Sequence, residues 1–270
     1  MRKTDYIPVC VVALLGGFIA FQVAKAPARQ PASEAVAADE PLQKERAPGA
    51  GGRIAMDGTV GRPPDDVDGT MRVSAAAAPV RDVDDIRRRL RMGEFGTYMS
   101  EALRQLDSSL YRWQDRLADP IRVWVAPAPG PASDDLMHIA REGFADWASA
   151  GIPVRFTFVV NRENADAVVL WTDRFESGNR LGHTQWVYDQ HAWMSPGTEI
   201  TLATHHPEGQ PVSNGLLRGI AAHEVGHLLG LPHSADSADV MFPRLYVYAL
   251  SQADRATARL LYSVPAGSLK

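Results

Sequence analysis

The sequence predicts one layered α/β (α+β) domain built on a mixed sheet, and three observations point there. From residue 119 onward, segments of strand and helix character follow in the order strand, helix, several strands, helix, helix, the pattern of helices packed on a sheet. All six tryptophans lie between Trp113 and Trp193, which locates the core of the folded part. The stretch AAHEVGHLLGLPHS, residues 221–234, is small and apolar apart from three histidines and one glutamate. Such side chains are seldom buried without a partner or a task.

The individual elements follow from periodicity. RDVDDIRRRLRM, from 81, reads as a helix ending near Gly93 and Gly96. TYMSEALRQLDSSLYRWQDRLAD, from 97, repeats apolar residues at Met99, Leu103, Leu106, Leu110, Trp113 and Leu117, so residues 81–118 form a helical segment. Its stripe either packs on the neighbouring domain or pairs as a coiled coil. PIRVWVAP is a strand, and SDDLMHIAREGFADWASAG is an amphipathic helix with Ser133 as N-cap and Gly151 as its stop. VRFTFVV, ADAVVLWT, GHTQWVYD and TEITLAT are strands. The histidine-bearing helix runs from about Ser213 to Leu229, and SQADRATARLLY closes a folded domain spanning 119–265.

The first 80 residues are different in kind. Residues 7–24 carry no charge and follow Arg2 and Lys3, so 1–26 is either a secretory signal or an N-terminal membrane anchor, with the remainder outside the cytoplasm. Residues 27–80 are rich in Pro, Gly and Ala, and no aromatic residue occurs between Phe21 and Phe95, as expected of a disordered linker. The net charge of −4, with scattered Lys and Arg, gives no nucleic-acid footprint. Cys10 is the only cysteine, so disulfides, cysteine zinc sites and a Cys–His nucleophile are excluded, and any metal must be held by His, Asp or Glu.

His223 and His227 stand four apart on the predicted helix, so both rings project from one face. That spacing suits two ligands of one tetrahedral zinc. Glu224, next to His223, is placed to take a proton from a zinc-bound water without binding the metal. Gly230 stands where the helix must stop and can adopt the left-handed conformation of such a stop, after which the chain can turn and bring His233 to the same ion. Three neutral imidazoles leave a fourth position for water, the arrangement of a catalytic site.

The segment HEVGHLLGLPHS resembles the extended zinc motif of the metzincin endopeptidases, and Ser234 after the third histidine is the residue typical of their matrixin branch. ADVMFP looks like the family's methionine turn, with Met241 beneath the zinc site, and LSQADRATARLLY is similar to its closing helix. The resemblance implies a metzincin-like catalytic domain: a mixed, mostly parallel twisted sheet, an active-site helix and a C-terminal helix. It implies one catalytic Zn²⁺ on His223, His227 and His233, Glu224 as general base, and protein or peptide substrates. It also implies that Asp254 ties the closing helix to the methionine turn, while Ala253 replaces the aspartate that can receive a newly cut N-terminus. TEITLAT is expected as the edge strand that receives an extended substrate by strand addition.

Other features depart from the family. A thiol latch is excluded by the position of Cys10. The LGHTQW segment lacks the histidine-x-aspartate partner of a second zinc site, so His183, His191, His205 and His206 are read as surface or hydrogen-bonding histidines. No residue pattern supports a calcium site. After Pro243 come Arg244 and Leu245 before Tyr246, so the family's pocket wall does not carry over. The reading from another class is a membrane-tethered, non-catalytic zinc-containing binding module, against which the intact Glu224 speaks. An intramembrane protease fails because Arg218 precedes the motif and PHSADSAD follows it. The oligomeric state is not set by these features.

Overall fold

The computed structural model of the chain describes residues 82–176 and 179–270, together with the backbone of two short earlier strands, β1 (Val36–Ala37) and β2 (Gly52–Ile54). The rest of the expected signal or anchor (1–26) and linker (27–80) lies outside the described residues.

The helical segment begins with α1 (Val83–Gly93), capped where the Asp82 carboxylate accepts from the Asp85 amide at 3.0 Å, and it buries Ile86 and Leu90. The following α2 (Met99–Gln105) is much shorter than the predicted helix. Asp107 and Ser108 adopt φ of 51° and 60°, left-handed conformations that end it, and the chain continues extended through β3 (Ser109–Leu110). Leu106, Leu110 and Trp113 are nevertheless buried, because the stripe packs on the rest of this chain. The Trp113 indole N–H donates to the Leu228 carbonyl at 2.9 Å from this extended path; tertiary docking has overridden helical periodicity.

β4 (Arg116–Val125) starts ahead of the predicted strand, and a register irregularity between Arg116 and Ile121 accommodates Pro120. α3 (Ser133–Ala148) takes Ser133 as its first helical residue, so the predicted N-cap is off by one; Ala132 precedes it without a side-chain cap. Gly151, at φ +79°, lies just beyond the end of α3 as predicted. β5 (Val154–Phe158), β6 (Ala167–Thr172), β7 (Gly182–Tyr188) and β8 (Thr198–Ala203) follow, then α4 (Asn214–Leu228), β9 (Arg244–Leu245), α5 (Gln252–Tyr262) and β10 (Gly267–Ser268).

The main sheet has the order β2-β7-β8-β6-β4-β5. The pairs β4–β5, β4–β6 and β6–β8 are parallel, whereas β7 runs antiparallel to β8. The mixed, mostly parallel sheet is thus as expected, but the edge strand is not TEITLAT. β8 is hydrogen-bonded on both sides, by β6 and β7, and has no open edge. The antiparallel β7 lies outside it, and Gly52–Ile54 pairs antiparallel along the far side of β7, with Arg53 opposite Val187. β1 pairs antiparallel with β9.

Helices α3 and α4 pack on each other and on one face of the sheet, α3 over β5 and α4 over β7 and β8. The core between them contains Phe144, Trp147, Ile121, Val123, Ile200 and Leu202. Phe144 meets Phe156 edge to face at 5.1 Å, and the Trp147 indole donates to the Ala222 carbonyl at 2.7 Å, satisfying its one polar atom in the core. At the crossing of the two helices stands Gly143. A Cβ there would lie 2.8 Å from the backbone of Ala221 and Ala222. Gly143→Ala is therefore expected to push α3 off the histidine-bearing helix and cost about 1–3 kcal/mol. Urea unfolding checks this: a clear fall of the midpoint is expected, and an unchanged midpoint contradicts the close crossing.

Candidate active site

α4 is built to be buried. The Ser213 hydroxyl caps it by accepting from the Leu216 amide at 3.3 Å, and from Ile220 to Leu228 every residue is buried, including His223, Glu224 and His227. A helical stretch buried all round belongs inside a core, so the side chains of His223, Glu224 and His227 must be satisfied within the protein. The helix then stops in a Schellman motif: Leu231 N–H donates to Gly226 O at 3.1 Å and Gly230 N–H to His227 O at 2.8 Å. Gly230 sits at φ +97°, and a Cβ on it would collide with the Tyr111 carbonyl, so both conformation and space require glycine.

That turn delivers His233 to the two helical histidines. Ligand atoms of His223, His227 and His233 all lie within 4.8 Å of one another, the group among the described residues placed to share one ion. His223 Nδ1 lies 2.7 Å from the Val240 carbonyl and His227 Nδ1 lies 2.7 Å from the Leu231 carbonyl. A carbonyl only accepts, so each Nδ1 carries the proton and each Nε2 presents a lone pair. These two Nε2 atoms face each other at 3.0 Å, and His233 Nε2 is buried with no hydrogen-bond partner. Two nitrogens bound to one tetrahedral zinc would stand roughly 3.3 Å apart. Three buried ring nitrogens converging on one point fit a borderline dication.

The loop carrying His233 is held from several sides. Gln105 of α2 donates to the His233 carbonyl at 2.7 Å, and Glu101 accepts from the Ala235 amide at 3.1 Å. Ser234 donates to one Asp239 oxygen at 2.5 Å, and Ser251 donates to the other at 2.6 Å. Asp254, fully buried, accepts from the amides of Val240 and Ser251, both at 2.9 Å, and from Met241 N–H at 3.4 Å. The tie between closing helix and methionine turn is therefore present, and the Tyr98 hydroxyl adds a fourth donor at 3.2 Å. Met241 packs its sulfur against Gly226, directly behind the two helical histidines, where a Cβ would collide with it.

On the other side, the inner face of β7 meets Glu224. A Cβ at Gly182 would collide with Glu224 Oε1, and the Thr184 hydroxyl donates to Glu224 Oε2 at 2.6 Å. Spacing in the sequence points to His223, Glu224, His227 and His233, and the family resemblance adds Met241 and Asp254; the structure brings the four together and ties Asp254 to the turn that carries Met241. Spacing and resemblance both passed over Thr184, Gln105, Glu101 and Tyr98. Thr184 carried a faint signal, a polar residue on the buried phase of a strand. The others had none, because they arrive from a helical segment whose docking is purely tertiary. His205 pairs with Asp173 at 2.8 Å, in keeping with its hydrogen-bonding reading.

A family model described as Matrixin matches residues 125–263, slightly more than half of the chain. The chain belongs to the matrixin family. The matched span runs from the end of β4 through α5, so it contains the whole histidine loop and methionine turn of this matrixin. The chain is also similar to Metalloendoproteinase 1 of Glycine max, 29% identical over 167 residues, which cover 57% of this chain and 53% of that protein. It thus spans about half the length of that curated relative. Matrixin membership implies a catalytic zinc, and the donor set just described fits one.

Burial, reinforced by His223, pushes His233 down to about 3, and burial pushes His227 well below the ordinary histidine value. Both rings are neutral in the folded protein near neutral pH, the form a metal needs. In the unfolded chain they protonate near pH 6.5, so below that value the unfolded state binds more protons. Metal-free protein is therefore expected to lose stability as the pH falls from about 7 to 5.5, at up to about 1.4 kcal/mol per pH unit for each ring. Thermal unfolding of chelator-treated protein measures this, and a flat profile over that window contradicts neutral burial of the rings.

Proposed function

We propose that the chain is a zinc-dependent endopeptidase that hydrolyses peptide bonds in proteins or peptides. The observation that carries the reading is the convergence of His223, His227 and His233 beside the buried carboxylate of Glu224. In this reading His223, His227 and His233 would hold the ion, which when bound would supply a water of lowered pKa and a Lewis acid for the scissile carbonyl. Glu224 accepts the proton of that water and returns it to the leaving amine. Met241 stays beneath the histidines and moves no proton.

Substrate binding is assigned to β7. Its far edge already takes an extended segment, Gly52–Ile54, in antiparallel register, so main-chain pairing there supports a peptide as the ligand. β9 pairs with β1 in the same way and forms a second extended ledge close after the methionine turn. We assign the protein to an extracytoplasmic location, released or anchored by residues 1–26, on the uncharged 7–24 run behind Arg2 and Lys3. Among the described residues no helix is long and apolar enough to cross a membrane.

The test is Glu224→Ala in the full chain. It is expected to retain one zinc while cleavage of an unstructured protein substrate falls by roughly a hundredfold or more. Chelation is expected to silence the wild type and zinc to restore it. Undiminished cleavage by Glu224→Ala contradicts the mechanism; zinc content without cleavage by the wild type supports a binding module instead.

A further inference from the structure

We propose that Thr184 is a positioning residue for Glu224, holding its carboxylate in one orientation from the very strand that receives the substrate. The inference rests on the reading of Glu224 as the base. Thr184 is fully buried on β7, in the inward phase shared with Gly182 and Trp186. Its Oγ1 lies 2.6 Å from Glu224 Oε2 and 3.1 Å from the Glu224 carbonyl. A hydroxyl has one proton to give, and the shorter contact, to the carboxyl oxygen, takes it.

The geometry divides the two carboxylate oxygens. Oε2 is anchored by Thr184, and Oε1 lodges over Gly182, where any side chain would displace it. A glutamate side chain has several torsions to fix, and a base left to wander spends most of its time out of reach of the proton it must take. Anchoring from β7 also links the base to the strand on which the peptide is laid, so substrate register and base position share one reference. A purely structural threonine would satisfy a buried carboxylate just as well, but its loss would not single out the chemical step.

Thr184→Val keeps the shape and removes the donor, and Thr184→Ser restores it; Thr184→Ala serves if the valine variant does not fold. With zinc content equal to wild type, Thr184→Val is expected to lower kcat by roughly ten- to a hundredfold with KM within about twofold, and Thr184→Ser to recover most of it. In the metal-free protein the carboxyl ¹³C resonance of Glu224, assigned by its loss in Glu224→Gln, is expected to shift in Thr184→Val and return in Thr184→Ser. Wild-type kcat in Thr184→Val, an unmoved resonance, or failure of serine to rescue overturns the proposal. A silent Glu224→Ala beside a fully active Thr184→Val removes Thr184 alone; an active Glu224→Ala removes the base and Thr184 together.

Discussion

Burying two imidazoles and a carboxylate on one helix, with a third imidazole on the loop that follows it, is the constraint on which the rest of this structure depends. An isolated polar group in such a core costs several kcal/mol unless every donor and acceptor is answered. The protein answers them from different elements: Val240 and Leu231 carbonyls for the two helical Nδ1 protons, Thr184 for the carboxylate. What these partners leave over is the Nε2 atoms of His223 and His227, which converge with the ring of His233. The site is thus organised by what its outer contacts fix.

The same requirement explains the surrounding architecture. Val240 can accept from His223 only if the methionine turn is held still, and Asp254 holds it by taking three backbone amides. Where the chain has Ala253 instead of a second aspartate, the Tyr98 hydroxyl approaches Asp254 from the helical segment. That segment also steadies the third histidine through Gln105 and Glu101. The helices ahead of the family-matched span therefore contribute to the site's geometry, although they supply no ligand.

Much of this was legible in the residues, for identifiable reasons. The helix, its glycine stop and the three histidines are local in sequence, and their spacing translates directly into geometry. The sheet was legible as a set of strands, but its order was not. TEITLAT and GHTQWVYD have equally alternating patterns, and only long-range pairing decides that the second lies outside the first. The helix predicted through Leu117 failed because apolar residues at Leu110 and Trp113 signal burial, and the extended path buries both as well. Thr184, Gln105 and Tyr98 act across 40, 128 and 156 residues, distances at which local pattern carries no information.

One ion held by three imidazoles, with a fourth position left for oxygen, can be seen by X-ray absorption on the purified, metal-loaded protein. One zinc per chain with three nitrogen neighbours and one oxygen at about 2.0–2.1 Å, and no sulfur near 2.3 Å, is the expected result. Loss of one nitrogen in His233→Ala would accompany it. A closed shell of four protein ligands, a sulfur neighbour, or the same spectrum in His233→Ala would contradict it.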